Sequence, residues 1–115
     1  MLRPDRTSEY EIGQAVLRFL IQTPEGAATI SDIKKHLDRN HRFTPADRER
    51  SGTRPNEERW HQQVRNLMCH RRTSGNAISD GLLEYSPRRL AITRLGRDYV
   101  ERRYGADGEI DLDVG

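Results

Sequence analysis

The stretch whose reading decides the fold is Arg54 to Arg72, RPNEERWHQQVRNLMCHRR. Pro55 suits the first turn of a helix, where its missing N–H costs nothing and its fixed φ is already helical. Trp60, Val64, Leu67 and Met68 then recur at helical spacing and make one apolar stripe. The pattern predicts a helix from Pro55 to Arg71, with Trp60 buried against the first and last helices of the domain. The opposite side carries Glu58, Arg59, Gln62, Arg65, Asn66, Cys69 and Arg72. Arginine, glutamine and asparagine are the side chains best able to bond base edges and phosphates, so this face is a candidate for nucleic-acid contact.

Upstream, the chain offers two more helices. Ser8 followed by Glu11 is a capping box, opening a helix from Glu9 to about Gln22 with Ile12, Val16, Phe19 and Leu20 inward. Thr23-Pro24-Glu25-Gly26 stops it, and Ala27 to Ile30 reads as a short strand. Ser31 is the expected cap of a second helix, Asp32 to Asn40, with Ile33 and Leu37 inward. Thr44-Pro45 looks like the start of a further helical turn, and Arg50-Ser51-Gly52-Thr53 is a hydrophilic loop.

Downstream, Leu82 to Tyr85 and Leu90 to Ile92 read as two strands joined by the turn Ser86-Pro87-Arg88-Arg89. Thr93 caps a last helix with Leu95, Tyr99 and Val100 on its apolar side, and Gly105 ends it. The expected fold is α+β, mainly α: a winged helix-turn-helix with a three-helix core, a short β-ribbon wing and a C-terminal helix. The first strand joins the ribbon as a third member. Residues 8–104 are the expected domain, with a frayed N-terminus at 1–7 and an acidic, disordered tail at 105–115.

Composition sharpens the functional reading. Charged residues make up 33% of the chain, yet its formal net charge is only +2. The tail holds four of the acidic residues, so residues 1–104 carry 20 basic against 14 acidic side chains, a net +6. Lys34 and Lys35 are the only lysines. An arginine excess agrees with a phosphate-bearing partner. The single cysteine, Cys69, excludes an intramolecular disulfide, and no secretory signal or membrane span is visible, so a cytoplasmic setting is expected. Cys69-His70, with His61, His36 and His41 elsewhere, lacks the paired spacing of a zinc site, and the histidines read as surface residues. Neither a metal nor another cofactor is expected.

The segments TPADRERSGTRPNEERWHQQVRNLM and GLLEYSPRRLAITRLGRDYV resemble the N-terminal winged-helix domain of Mrr-type restriction endonucleases and its stand-alone relatives. The pieces that carry the likeness are Thr44-Pro45-Ala46-Asp47, Ser51-Gly52, Glu57 to Trp60, Gly81-Leu82-Leu83 and Leu90 to Gly96, with its Thr93. The resemblance implies a winged helix that binds double-stranded DNA, as a regulator or as the targeting subunit of a separate restriction or defence effector. Those enzymes attach a nuclease domain with acidic residues and a lysine on adjacent strands. Here Asp32-Ile33-Lys34 has the Asp-x-Lys spacing but sits at a helix start, so no catalytic residue is expected. The expected DNA-binding residues are Arg59, Gln62, Arg65 and Asn66 in the major groove. Arg71, Arg72, Arg88 and Arg89 would bind the backbone. The alternative is a winged-helix adaptor whose same face docks an acidic protein or a second copy of the chain. The oligomeric state is not legible.

Overall fold

The computed structural model describes residues 6–105. In chain order its elements are α1 (Glu9–Leu20), β1 (Ala27–Thr29), α2 (Ile30–Asn40), α3 (Trp60–Cys69), β2 (Leu83–Ser86), β3 (Arg89–Ile92) and α4 (Arg94–Tyr104). They form a small, mainly helical α+β domain with a three-stranded antiparallel sheet of order β1-β3-β2. The register pairs Ala28 and Tyr85 with the two edges of Leu90, so β3 is central.

Local signals set most element ends. Ser8 Oγ accepts from the Glu11 N–H at 3.1 Å while the Glu11 carboxylate accepts from the Ser8 N–H at 2.8 Å, a complete capping box. Thr93 caps α4 by accepting from the Gly96 N–H at 2.9 Å. At α2 the cap is Thr29, two residues before the expected Ser31: its hydroxyl accepts from the Asp32 N–H at 3.1 Å. Strand β1 therefore ends where α2 begins. The two-residue hairpin turn, Pro87–Arg88, combines proline's fixed φ with φ +63° at Arg88, a position where glycine is usual.

The core joins Ile12, Val16, Leu17 and Leu20 of α1 to Ile33 and Leu37 of α2, Trp60, Val64 and Leu67 of α3, the inward residues of β2 and β3, and Val100 of α4. Helix α3 packs mainly on α1. Trp60 is 2% exposed, but the ring it stacks on is Phe43 of the α2–α3 connection, with centroids 4.3 Å apart, rather than a side chain of the last helix. Leu95, expected inward, is 51% exposed, because Gly96 and Val100 take the buried phase of α4.

Two expectations before α3 are corrected. The helix begins at Trp60, not Pro55. Pro55 lies in a turn closed by the Glu57 N–H to the Arg54 carbonyl, and Arg50 and Glu58 form an antiparallel bridge. Those pairings claim the backbone groups a longer helix would use, so tertiary contact overrides local propensity. Thr7, assigned to a frayed N-terminus, is buried: its N–H and hydroxyl donate to the two carboxylate oxygens of Asp47 at 2.7 and 2.8 Å. The tail expected to be disordered lies, after Gly105, outside the described residues.

Three of the four histidines also differ from the surface reading, while His70 is exposed. His36 stacks on Phe19 at 3.9 Å, and His41 and His61 are half-buried beside Phe43 and Trp60. Burial pushes the pKa of all three below the ordinary histidine value. Above about pH 6.5 they are neutral in both folded and unfolded chains. As pH falls below that, the unfolded chain takes up protons first, so stability should drop as pH falls from about 6.5 through the depressed folded values. A thermal-melt series over that range, flat for a variant with all three replaced by glutamine, checks this.

Gly96 explains the Thr-x-x-Gly step. A Cβ there would lie 2.2 Å from the Leu82 carbonyl oxygen, which is backbone and cannot swing aside. Gly96→Ala should therefore cost about 3 kcal/mol by overpacking, seen as a melting temperature lower by more than about 10 °C. An unchanged melting temperature would show that α4 does not approach the chain at Leu82 this closely.

Candidate nucleic-acid interface

Helix α3 starts after Arg59, which precedes it as the cap residue and ion-pairs with Glu49 at 3.0 Å. Glu58, expected on the outward face of the helix, is instead part of the turn before it. Its carboxylate accepts from Trp60 Nε1 at 2.8 Å and from Arg48 Nη1 at 3.0 Å. Its side chain stays 37% exposed, but its charge is offset by Arg48.

The outward side of α3 is a linked set of amides and one guanidinium. Arg65 Nη2 donates to Gln62 Oε1 at 2.8 Å, Gln62 Nε2 donates to Asn66 Oδ1 at 2.8 Å, and Asn66 Nδ2 donates to Gln63 Oε1 at 3.1 Å. The structure thus brings Gln62, Arg65 and Asn66 together. It also gives Arg65 a partner that the sequence reading did not anticipate. Arg65 Nη1 lies 2.8 Å from Glu57 Oε1, and the Arg65 side chain is only 24% exposed. Partial burial opposes ionisation of Glu57, but the Arg65 guanidinium outweighs it and holds the carboxyl below its ordinary pKa. At neutral pH the pair is ionised, so the charge of Arg65 is offset locally.

The remaining expected residues lie at the end of α3 and on the hairpin. Arg71 places its guanidinium 4.8 Å from the centroid of the Tyr85 ring on β2, joining the end of α3 to the hairpin. The hairpin turn also meets α2: the Ile30 N–H donates to the Arg88 carbonyl at 2.8 Å. Arg72 and Arg88 are exposed, and among the described residues neither has an ion-pair partner. Arg89 lies 3.6 Å from an exposed Glu25, a distance at which solvent screens most of the attraction.

Charge is therefore distributed unevenly. Around the connection and the first two turns of α3, Arg48, Arg59 and Arg65 are each matched by carboxylates. Past the end of α3 and at the hairpin turn, Arg71, Arg72 and Arg88 have no carboxylate partner among the described residues, and Arg89 has only the exposed Glu25. Arg94, the first residue of α4, joins this second group and was missed from sequence, although a cation at a position that usually carries Asp or Glu is itself a signal. Cys69 is exposed and free. Among the described residues no three His, Cys, Asp or Glu side chains come together as metal ligands, and no helix is long and apolar enough to cross a membrane. Compared with family models, curated proteins and solved structures, the chain matches none.

Proposed function

We propose that the chain is a winged-helix module that binds double-stranded DNA, without catalytic activity of its own, and serves as a regulator or targeting subunit of a separate restriction- or defence-type effector. The order of elements and the central β3 support the winged-helix reading, with α3 as the groove-facing helix and β2–β3 as the wing. The connection from α2 to α3 is a long ordered loop rather than the usual short turn.

One observation carries the DNA reading: Arg71 and Arg72, just past the end of α3, and Arg88, in the β2–β3 turn, have no carboxylate partner among the described residues. They supply charge for phosphates, while Gln62, Arg65 and Asn66 supply groups for base edges. Arg65 must exchange Glu57 for a base to act in readout, so its bond forms only where the gain exceeds that loss. Arg88 holds a left-handed φ that costs a non-glycine residue roughly 1–2 kcal/mol.

The two groups of residues should fail differently. Arg88→Ala with Arg89→Ala should weaken binding almost uniformly across sequences and lower the slope of log affinity against log salt by about 0.9 per lost phosphate contact. Gln62→Ala or Arg65→Ala should cost about 1–3 kcal/mol on a preferred site and little on random duplex. Arg88→Gly relaxes the turn, so folding stability should stay within about 1 kcal/mol while DNA affinity still falls. Fluorescence-anisotropy titrations at several salt concentrations measure all of these.

The adaptor reading has an observation of its own: Tyr10 and Leu95 are large apolar side chains more than half exposed, on α1 and α4. If the arginine substitutions leave duplex binding untouched while Tyr10→Ser or Leu95→Ser breaks a dimer or a pulled-down complex, that reading replaces the first.

A further inference from the structure

Between the end of α3 and the base of the hairpin lies an open cleft of about 660 Å³, within the size range of small-ligand sites. Its lining is more varied than a phosphate contact needs. Ile78 and Leu83 give it an apolar floor. Arg71, lying against the Tyr85 ring, forms a flat wall of guanidinium and aromatic ring.

Arg72 and Arg94 line the same cleft, and no carboxylate pairs with either among the described residues. Arg94 opens α4, where the aligned peptide dipoles already place partial positive charge. Both cations are thus left for an anion. Glu84, on β2, also lines the cleft and makes no ion pair or side-chain hydrogen bond with a described residue. A backbone phosphate would use the cations alone. An apolar floor, a stacking wall and an uncommitted carboxylate acceptor are what a nucleobase with an exocyclic amino group requires.

We infer that this cleft seats one unpaired nucleotide, at a DNA end, overhang or bulge. Its base lies over the Arg71–Tyr85 pair, its amino group donates to Glu84, and its phosphates meet Arg72 and Arg94. The inference rests on the duplex-binding reading and adds a preference for junctions over uninterrupted duplex. Adenine and cytosine suit the acceptor, whereas thymine has no amino group to offer.

The test compares a blunt duplex with the same duplex carrying a three-nucleotide adenine or thymine overhang, by fluorescence anisotropy with the full chain. The adenine overhang should tighten binding about tenfold or more over the blunt end, and the thymine overhang by less. Arg94→Ala should remove most of that gain, weakening the adenine-overhang duplex at least about threefold more than the blunt duplex. Glu84→Ala should erase the adenine-over-thymine difference. Both positions are exposed, and thermal melts check that the variants fold. If the blunt duplex binds and neither overhang adds affinity, the nucleotide site is wrong and the duplex reading stands. If Arg94→Ala weakens every DNA equally, the cleft is only a seat for backbone phosphate. Should no DNA bind at all, both readings fall.

Discussion

Trp60→Ala is expected to remove about 3–5 kcal/mol of folding stability, a large share of the roughly 5–15 kcal/mol usual for a domain. Trp60 opens α3 and is almost wholly buried. Its ring covers Phe43, and its Nε1 donates to Glu58, which also accepts from Arg48. Alanine leaves a large cavity at the point where α1, α3 and the α2–α3 connection converge, and it frees one bond of the Glu58 carboxylate. Trp60→Phe keeps an aromatic ring against Phe43 but loses the hydrogen bond and part of the buried ring volume, so it should cost less than Trp60→Ala, about 1–3 kcal/mol. Urea unfolding of both variants measures this. A Trp60→Ala loss below about 1 kcal/mol would mean that the ring is not enclosed, and the phase of α3 and its outward residues would have to be reassigned.

The second large effect belongs to Asp47. This buried carboxylate accepts from the Thr7 N–H, the Thr7 hydroxyl and the Thr44 N–H, while its own N–H donates to Thr44 Oγ1. The Asp47 carbonyl also receives the Trp60 N–H at 3.1 Å. One residue therefore pins the segment before α1, the helical turn after Thr44 and the start of α3. Asp47→Ala strands several donors in the interior and should cost on the order of 3–4 kcal/mol. Asp47→Asn keeps the shape but offers one acceptor oxygen, so it should lose less.

The charge state of Asp47 gives an independent readout. Burial raises the cost of ionising it, but the backbone and hydroxyl donors of Thr44 and Thr7 outweigh that and hold its pKa below the ordinary aspartate value. Its contribution is thus complete above about pH 4 and is lost as pH falls through the depressed folded pKa. The wild-type chain should show an acid-unfolding step below about pH 4 that is much reduced in Asp47→Asn. An identical acid profile in the two proteins would show that these donors do not favour the carboxylate.

Much of this architecture is legible in the chain because its signals act over three or four residues. The Ser8–Glu11 and Thr93–Gly96 caps, the Thr44–Asp47 turn and the stripes Ile12-Val16-Leu20 and Trp60-Val64-Leu67 are all local patterns that the structure contains. A turn proline at residue 87 and a capping threonine act on their neighbours whatever the rest of the molecule does. For the same reason, the exposed arginines of the hairpin could be named as candidate contacts without a structure.

What the sequence could not settle depended on where distant segments meet. Pro55 is as acceptable in a turn as at a helix start, and only the bridge between Arg50 and Glu58 decides against the helix. Glu57 and Arg65 are 8 residues apart, and Thr7 and Asp47 are 40 apart. Which charges are neutralised, and which terminus is tied down, followed from those contacts. Composition counts an arginine the same whether it is paired or free. The path of the chain from residue 41 to 59 brings carboxylates to Arg48, Arg59 and Arg65, whereas Arg71, Arg72, Arg88 and Arg94 have none among the described residues. A local pattern sets the conformation of its own few residues, whereas an ion pair depends on the distance between two segments, which only the packed fold determines.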